Sequence, residues 1–284
     1  MQLIDSPLAG VVADQDGRQA GVYDHGAHVF SWQPRGAEHP VLWMSAASMF
    51  APGQPIRGGV PVCFPWFGPG RTGDLAPGHG FARLASWTRT QLLDEDDRLL
   101  VTYRLDESQV GDQPNFPHAF TAELTVEFTD KHVDLALEVT NTGDEQFSYE
   151  EALHTYLAVG DSREISITGL EGASYLDKVA GTTENTQQGA IRIEAETDRV
   201  YDSTADVTLD DPVWARRLVV SKTNSANTVV WNPWVAKSAA MPDFGDDEWP
   251  HMVCIEAANA LDEAITLTPG QSHLMSQRIT LLDA

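Results

Sequence analysis

Between residues 122 and 139 apolar and polar side chains alternate with a period of two, and they do so twice. Leu124, Val126 and Phe128 alternate with Glu123, Thr125 and Glu127; after Asp130 and Lys131, Val133, Leu135, Leu137 and Val139 alternate with polar neighbours such as Asp134 and Glu138. Successive side chains of an extended chain point to opposite faces, so this spacing predicts a half-buried antiparallel hairpin. Similar short runs recur at residues 99–104, 164–168, 190–195, 217–221, 228–231, 252–256 and 278–282, with Gly, Asp, Asn and Pro between them. No segment keeps a 3.6-residue apolar stripe over three turns. Many short strands separated by turn residues predict an all-β, mostly antiparallel sandwich. At 284 residues, with no internal repeat, low-complexity tract or linker, the chain reads as one domain spanning 1–284.

Charge narrows the partners. Lys and Arg number 18 against 42 Asp and Glu, a formal net charge of -24. Such a molecule repels nucleic acid, anionic membranes and free phosphate esters as a whole, so an anionic ligand needs a local exception. The start, MQLIDSPLAGVVADQDG, lacks the basic and apolar regions of a secretion signal, and no stretch approaches a membrane span, so a cytoplasmic location is expected. Cys63 and Cys254 each lie in an apolar run, which predicts two buried free thiols, and the absence of C-x-x-C spacing argues against structural zinc. Abundant Asp beside scarce Lys predicts a saline or acidic-proteome host; stability of the purified protein that did not respond to salt would count against this.

The local exception is visible. From His39 to Leu93 the only acid is Asp74, where the chain average would place about 8, and the same window holds Arg57, Arg71, Arg83 and Arg89. Guanidinium groups match phosphate and carboxylate oxygens with a planar fork of donors, which makes this window a candidate anion site. Within it, Gly58 and Gly59 permit close backbone approach, and prolines fix an irregular path carrying Phe64, Trp66 and Phe67. The window reads equally as a rigid aromatic loop closing one end of the sandwich, with its arginines in ordinary surface pairs.

Among nine histidines no H-x-H or H-E-x-x-H spacing occurs, so the sequence supports no metal site. His79 lies between Gly78 and Gly80, which would let a substrate reach its ring. His154 lies in a strand-like run where period two places it on one face with Ala152 and Tyr156. Glu256 interrupts the apolar run Met252, Val253, Cys254, Ile255 and is followed by Ala257 and Ala258. Burying an ionised carboxylate costs several kcal/mol unless it is paired, so Glu256 is either neutral, bound to an arginine, or a base facing a cavity with its pKa raised by desolvation. The segment Val230, Trp231, Asn232, Pro233, Trp234 and the nearby Lys237 set aromatic faces beside polar groups, which suits a sugar ring and equally a packed loop.

Seven motifs, in order, resemble the D-hexose-6-phosphate mutarotases, the glucose-6-phosphate 1-epimerase branch of the aldose 1-epimerase superfamily. They are Ile56 to Pro61 (IRGGVP), Phe64 to Gly68 (FPWFG), His79 to Arg83 (HGFAR), Ala152 to Tyr156 (ALHTY), Asp198 to Tyr201 (DRVY), Val230 to Trp234 (VWNPW) and Cys254 to Glu256 (CIE). The resemblance implies a galactose-mutarotase-like β-supersandwich with an open cleft. It implies His154 as general acid and Glu256 as general base, with Arg57, Arg83 and Asp198 binding substrate and His79 a second cleft histidine. Some relatives carry Gln just before the His-Gly-x-Ala-Arg motif where this chain has Gly78, which implies a lost side-chain contact.

The implied reaction interconverts the α and β anomers of a hexose 6-phosphate, glucose 6-phosphate first among them. It needs no cofactor and no metal, only a small-molecule sugar phosphate; a monomer is expected, with no nucleic-acid or membrane partner. A carboxylate and an imidazolium on opposite sides of the cleft would make both proton transfers, and arginines of the acid-poor window would hold the phosphate. The competing readings are an aldose 1-epimerase of unphosphorylated sugars and a non-catalytic carbohydrate-binding homologue. A glycoside hydrolase is weaker, because Glu256 has no second carboxylate in an equally apolar run.

Overall fold

In the computed structural model, which describes residues 1–5, 7–15 and 17–283, two large antiparallel sheets of eight strands each share one core, and two smaller sheets have four and two strands. The alternating hairpin forms as the pattern predicts: Phe120–Thr129 pairs with His132–Asn141, from Phe120 opposite Asn141 to Phe128 opposite Val133. It lies in the sheet ordered Ser166–Thr168, Val207–Asp211, Arg216–Thr223, Ser272–Asp283, His132–Asn141, Phe120–Thr129, Arg98–Asp106, Thr88–Asp94. Call this the supporting sheet. The second large sheet runs Thr182–Thr186, Ser174–Asp177, Thr197–Asp202, Asn227–Asn232, Met252–Asn259, then Glu151–Leu153 and Val62–Cys63, with Tyr156–Ala158 also pairing to Met252–Asn259.

Parity divides this second sheet. Leu153, Leu157, Val230, Val253, Ile255 and Ala257 join Leu124, Val126, Leu135, Leu137, Met275 and Ile279 of the supporting sheet in one core. Each such side chain, once buried, contributes roughly 1.5–3 kcal/mol, and together they fix the register, since a slip of one residue would turn this set outward. The opposite face carries two smaller apolar clusters. Tyr156, Ala158, Trp231, Met252 and Cys254 pack with Trp43, Phe244 and Trp249; Ala152, Val200, Val229 and Ala258 pack with Cys63 and Phe67. His154, Glu256 and Asp198 share that parity and fall in the gap between the clusters.

Two local expectations differ from the structure. Residues 190–195 form no strand; Ile191 makes a single bridge to Ile167, and the segment is otherwise loop. Its Ile191 and Ile193 alternate, but they fill the core from an irregular chain. Trp234–Ala240 is an α-helix that the apolar pattern did not reveal, because two turns are too short to display a stripe and Val235 faces solvent. Both cysteines are free and buried, as their apolar surroundings predicted.

Candidate active site

The acid and the imidazole meet because of strand register. Leu153 lies opposite Ala257 and Tyr156 opposite Cys254, and these pairs bracket His154 and Glu256 on neighbouring strands. Side chains directly across an antiparallel pair stand about 5 Å apart at Cβ, on one face. His154 Nε2 is accordingly 3.4 Å from Glu256 Oε1. The two groups therefore sit side by side on the cleft floor, which corrects the expectation that they stand on opposite sides: a sugar must lie above the pair and not between its members.

Both groups are unusually bare. Glu256 is 1% exposed and His154 8%, and among the described residues neither oxygen of Glu256, nor Nδ1 of His154, has a hydrogen-bond partner. No arginine among the described residues pairs with Glu256, so the neutral or cavity-facing alternatives apply. Burial, and secondarily the charge of Asp198, raise the Glu256 pKa well above the ordinary carboxyl range, while Lys178 opposes them. Burial, then the charges of Arg57 and Arg83, lower the His154 pKa to about 3. Burial thus favours the neutral carboxylic acid on Glu256 and the neutral imidazole on His154. Tyr156 stacks on the His154 ring, with centroids 4.8 Å apart, and fixes its plane.

From below, the supporting sheet pins both strands. Gln277 accepts a hydrogen bond from the Thr155 hydroxyl and donates from Nε2 to the Ile255 carbonyl at 3.1 Å. Thr155 and Ile255 are the chain neighbours of His154 and Glu256. One amide thus ties the backbone on both sides of the pair.

A cleft of about 200 Å³ opens above the pair. Arg57, His79, Lys178, Asp198 and Lys237 line it with the pair, together with Phe67 and Trp231. His79 Nδ1 accepts from the Gly68 N–H at 3.3 Å and lies 3.4 Å from Cys63 Sγ. Its remaining proton is therefore on Nε2, and burial, reinforced by His154, keeps the ring neutral. Asp198 lies 3.7 Å from Lys178 Nζ and 3.9 Å from Lys237 Nζ. Lys237 also donates to Glu196 at 2.9 Å.

Arg57 is held rigidly: its guanidinium donates to both Asp243 oxygens at 3.0 and 3.2 Å, and to Tyr156 Oη at 2.9 Å. Arg83 is not among the cleft-lining residues; its Nη2 donates to the Gly78 carbonyl at 2.6 Å. Of the two arginines that the resemblance assigns to substrate, Arg57 therefore lines this cleft. Arg57 is joined by Lys178 and Lys237, which lie outside the acid-poor window, and Arg89 pairs with Asp24 at 3.4 Å, as an ordinary surface arginine would. The scarcity of lysine was the signal for the missed pair: the chain has four, and two of them line this cleft.

The glycines around His79 do different work from that expected. A Cβ on Gly80, at φ 75°, would meet the Phe64 carbonyl oxygen at 2.0 Å, so Gly80 lets two backbones pack and does not open a path for substrate. Gly78 faces open space, with the Gly68 carbonyl 3.8 Å from an added Cβ. A second cavity lies beside Trp66, Leu75, Phe116 and Tyr149. Its carboxylate, Glu150, is occupied by the Phe67 and Leu261 backbone N–H groups, so the chemistry belongs to the first cleft.

An all-β frame of two large antiparallel sheets around one core is the galactose-mutarotase-like fold class. The chain belongs to the aldose 1-epimerase family, whose sequence profile matches residues 11–280. It is 36% identical over 266 residues to an Escherichia coli K12 protein named "Putative glucose-6-phosphate 1-epimerase", covering 93% of this chain and 87% of that one. A protein of the same name from Cenchrus ciliaris is 36% identical over 265 residues, covering 89% and 78%. The crystal structure of a Salmonella typhimurium protein described as "a putative mutarotase" superposes with a TM-score of 0.88 at 29% identity, covering 100% of this chain and 97% of that one. Among the described residues no helix is long and apolar enough to cross a membrane.

Proposed function

We propose that this cleft interconverts the α and β anomers of hexose 6-phosphates, glucose 6-phosphate first, through Glu256 and His154. The observation that carries the reading is the pair itself: two buried ionisable groups 3.4 Å apart, unpartnered, facing a cleft that also holds Arg57, Lys178 and Lys237.

The reaction needs one proton removed from the C1 hydroxyl and one delivered to the ring oxygen. Moving the shared proton from Glu256 to His154 produces a carboxylate base beside an imidazolium acid with no change of net charge. The carboxylate then takes the O1 proton as the imidazolium protonates O5; the C1–O5 bond breaks and C1=O1 forms. Rotation about C1–C2 turns the aldehyde over, and the reverse transfers close the ring with the opposite configuration. Each transfer by a positioned group contributes roughly 10²- to 10⁴-fold.

Arg57, Lys178 and Lys237 would bind the phosphate, and that binding would hold C1 over the pair. A dianion beside these cations offsets the charges that depress His154, so the substrate itself favours the imidazolium. His79, a neutral donor, and Asp198, an acceptor, are placed to hold sugar hydroxyls. Arg83 acts indirectly in this reading, by holding the Gly78 carbonyl beside His79.

A second reading, an aldose 1-epimerase of free sugars, is favoured by one observation: each cleft cation already has a carboxylate neighbour, Asp243 for Arg57 and Asp198 for both lysines. Polarimetry of freshly dissolved α-glucose 6-phosphate and α-glucose, each with and without the protein, separates the two. Faster relaxation of the phosphate ester supports the proposal. Acceleration of glucose alone refutes the phosphate assignment, and acceleration of neither refutes both.

A further inference from the structure

The acid–base reading leaves one neighbouring group without a task. Cys254 lies two residues before Glu256 on the same strand and the same face, opposite Tyr156, so His154, Cys254 and Glu256 occupy adjoining positions on two strands. One ligand atom from each, a ring nitrogen, Sγ and a carboxylate oxygen, lie within 4.8 Å of one another. All three residues are more than nine-tenths buried, one Glu256 oxygen lies within the set, and neither Glu256 oxygen has a hydrogen-bond partner among the described residues. Local spacing could not show this set, since the histidine comes from a different strand.

We propose that His154, Cys254 and Glu256 form an inhibitory site for zinc, which captures the acid–base pair and switches the cleft off. Zinc accepts thiolate, imidazole and carboxylate ligands, and three protein ligands leave a fourth position open to the cleft for water. Metal–ligand distances of about 2.0–2.3 Å place tetrahedral ligand atoms roughly 3.3–3.8 Å apart. His154 Nε2 and Glu256 Oε1 are already 3.4 Å apart, so closing the set needs side-chain shifts and no backbone rearrangement. The donor set discriminates against magnesium and calcium, which want six or more oxygens, and favours a borderline ion such as zinc, which takes thiolate and imidazole. On binding, the thiol and the carboxylic acid release their protons to solvent. Thiolate and carboxylate then neutralise the ion, which offsets the opposing charges of Arg57 and Lys178. Inhibition follows because neither Glu256 nor His154 is free to move a proton while ligated. That consequence rests on the function proposed above; the metal site itself does not.

The test uses the full-length, untagged chain, with Co²⁺ as a spectroscopic substitute and Zn²⁺ as the inhibitor. One equivalent of Co²⁺ is expected to give a near-ultraviolet thiolate-to-metal charge-transfer band that Zn²⁺ displaces. Cys254, which is not among the cleft-lining residues, is replaced in Cys254→Ala; this variant is expected to keep its turnover of glucose 6-phosphate, lose the band and bind Zn²⁺ more than about 100-fold more weakly, beyond the loss from removing an outer-sphere partner. Cys63→Ala is expected to keep both the band and the affinity. The isosteric Glu256→Gln, which retains the thiol, is expected to weaken Zn²⁺ by at least about tenfold. Absence of the band, its survival in Cys254→Ala, or its loss in Cys63→Ala overturns the site. Tight zinc binding with unimpaired turnover overturns the inhibition. A band as expected from a protein that turns over no sugar, even after chelation, upholds the metal site and sinks the epimerase reading instead.

Discussion

Replacing Gln277 with Leu tests whether the supporting sheet sets the geometry of the acid–base pair. The substitution keeps the side chain's approximate bulk and removes both hydrogen bonds, one from the Thr155 hydroxyl and one to the Ile255 carbonyl. Gln277 is 1% exposed and Thr155 fully buried, so water cannot replace the lost partners. An orphaned buried polar group costs about 1–3 kcal/mol. Thr155 has a fallback, the Leu153 carbonyl at 3.4 Å, which softens one of the two losses and leaves an expected total of roughly 2–4 kcal/mol. Urea denaturation reads this as a lowered midpoint at unchanged slope. The kinetic signature is separate: a misplacement of about 1 Å between base and acid costs on the order of 100-fold in kcat, whereas the cleft cations, on other elements, leave KM for glucose 6-phosphate within about twofold. Rescue by Gln277→Glu at acidic pH, where a protonated carboxyl can both donate and accept, is the further expectation. A Gln277→Leu protein with wild-type stability and kcat would refute the idea that this amide positions the pair; a stability loss with unchanged kcat would reduce it to a structural link.

Three further outcomes are expected. Glu256→Gln abolishes anomerisation while sugar phosphate binding stays measurable by calorimetry, and a substantially active variant removes Glu256 as the base. The same substitution changes the pH dependence of stability: because the folded pKa of Glu256 is raised, its ionisation destabilises the fold as pH climbs from the unfolded value of about 4.3 through the folded one. Glu256→Gln is therefore expected to be more stable than wild type above that range, and a thermal melt at pH 8 showing it less stable would contradict the burial argument. Lys178→Gln raises KM for glucose 6-phosphate about 10- to 100-fold, the worth of a charge-assisted contact, and leaves free glucose unaffected; equal losses on both substrates would defeat the phosphate assignment. Lysine is a cleaner probe than Arg57, whose removal strands the buried Asp243. Gly78→Gln folds normally, since its Cβ enters open space, and lowers KM by about 2- to 10-fold if the new amide reaches the sugar; an unfolded variant would show that the loop tolerates no side chain there.

The two sheets were legible because both faces of most strands differ in polarity, and alternation survives in the sequence wherever that is so. Residues 120–141 show this best. The strand Met252–Asn259 is buried throughout, so it shows no alternation, yet its one carboxylate stood out for that reason. Residues 190–195 misled because alternate isoleucines can enter a core from a loop, and Trp234–Ala240 was hidden by brevity. At the site, His154, Glu256, His79, Arg57 and Asp198 do line one cleft, whereas Arg83 is not among its lining residues. Lys178 and Asp243 were not foreseen as site residues, and Lys237 stood out only as a polar neighbour of the tryptophans, because contacts between segments tens of residues apart are decided by sheet order, which a period of two does not encode. The same limit hid Gln277: a polar residue in an otherwise alternating strand gives no hint of which backbone it serves in the facing sheet.

The strand that bears Glu256 has a bearing on how such a chain can change over time. Inserting or deleting one residue within it would drive a carboxyl group into the valines and isoleucines below and lift Ile255 into the sugar's place, so both stability and chemistry would be lost together. Length variation must therefore be confined to the connections beyond the strand ends, and those carry Lys237, on the helix Trp234–Ala240, with Asp243 and Phe67. Lineages can retailor which substituents a sugar brings while inheriting the proton-handling floor unaltered.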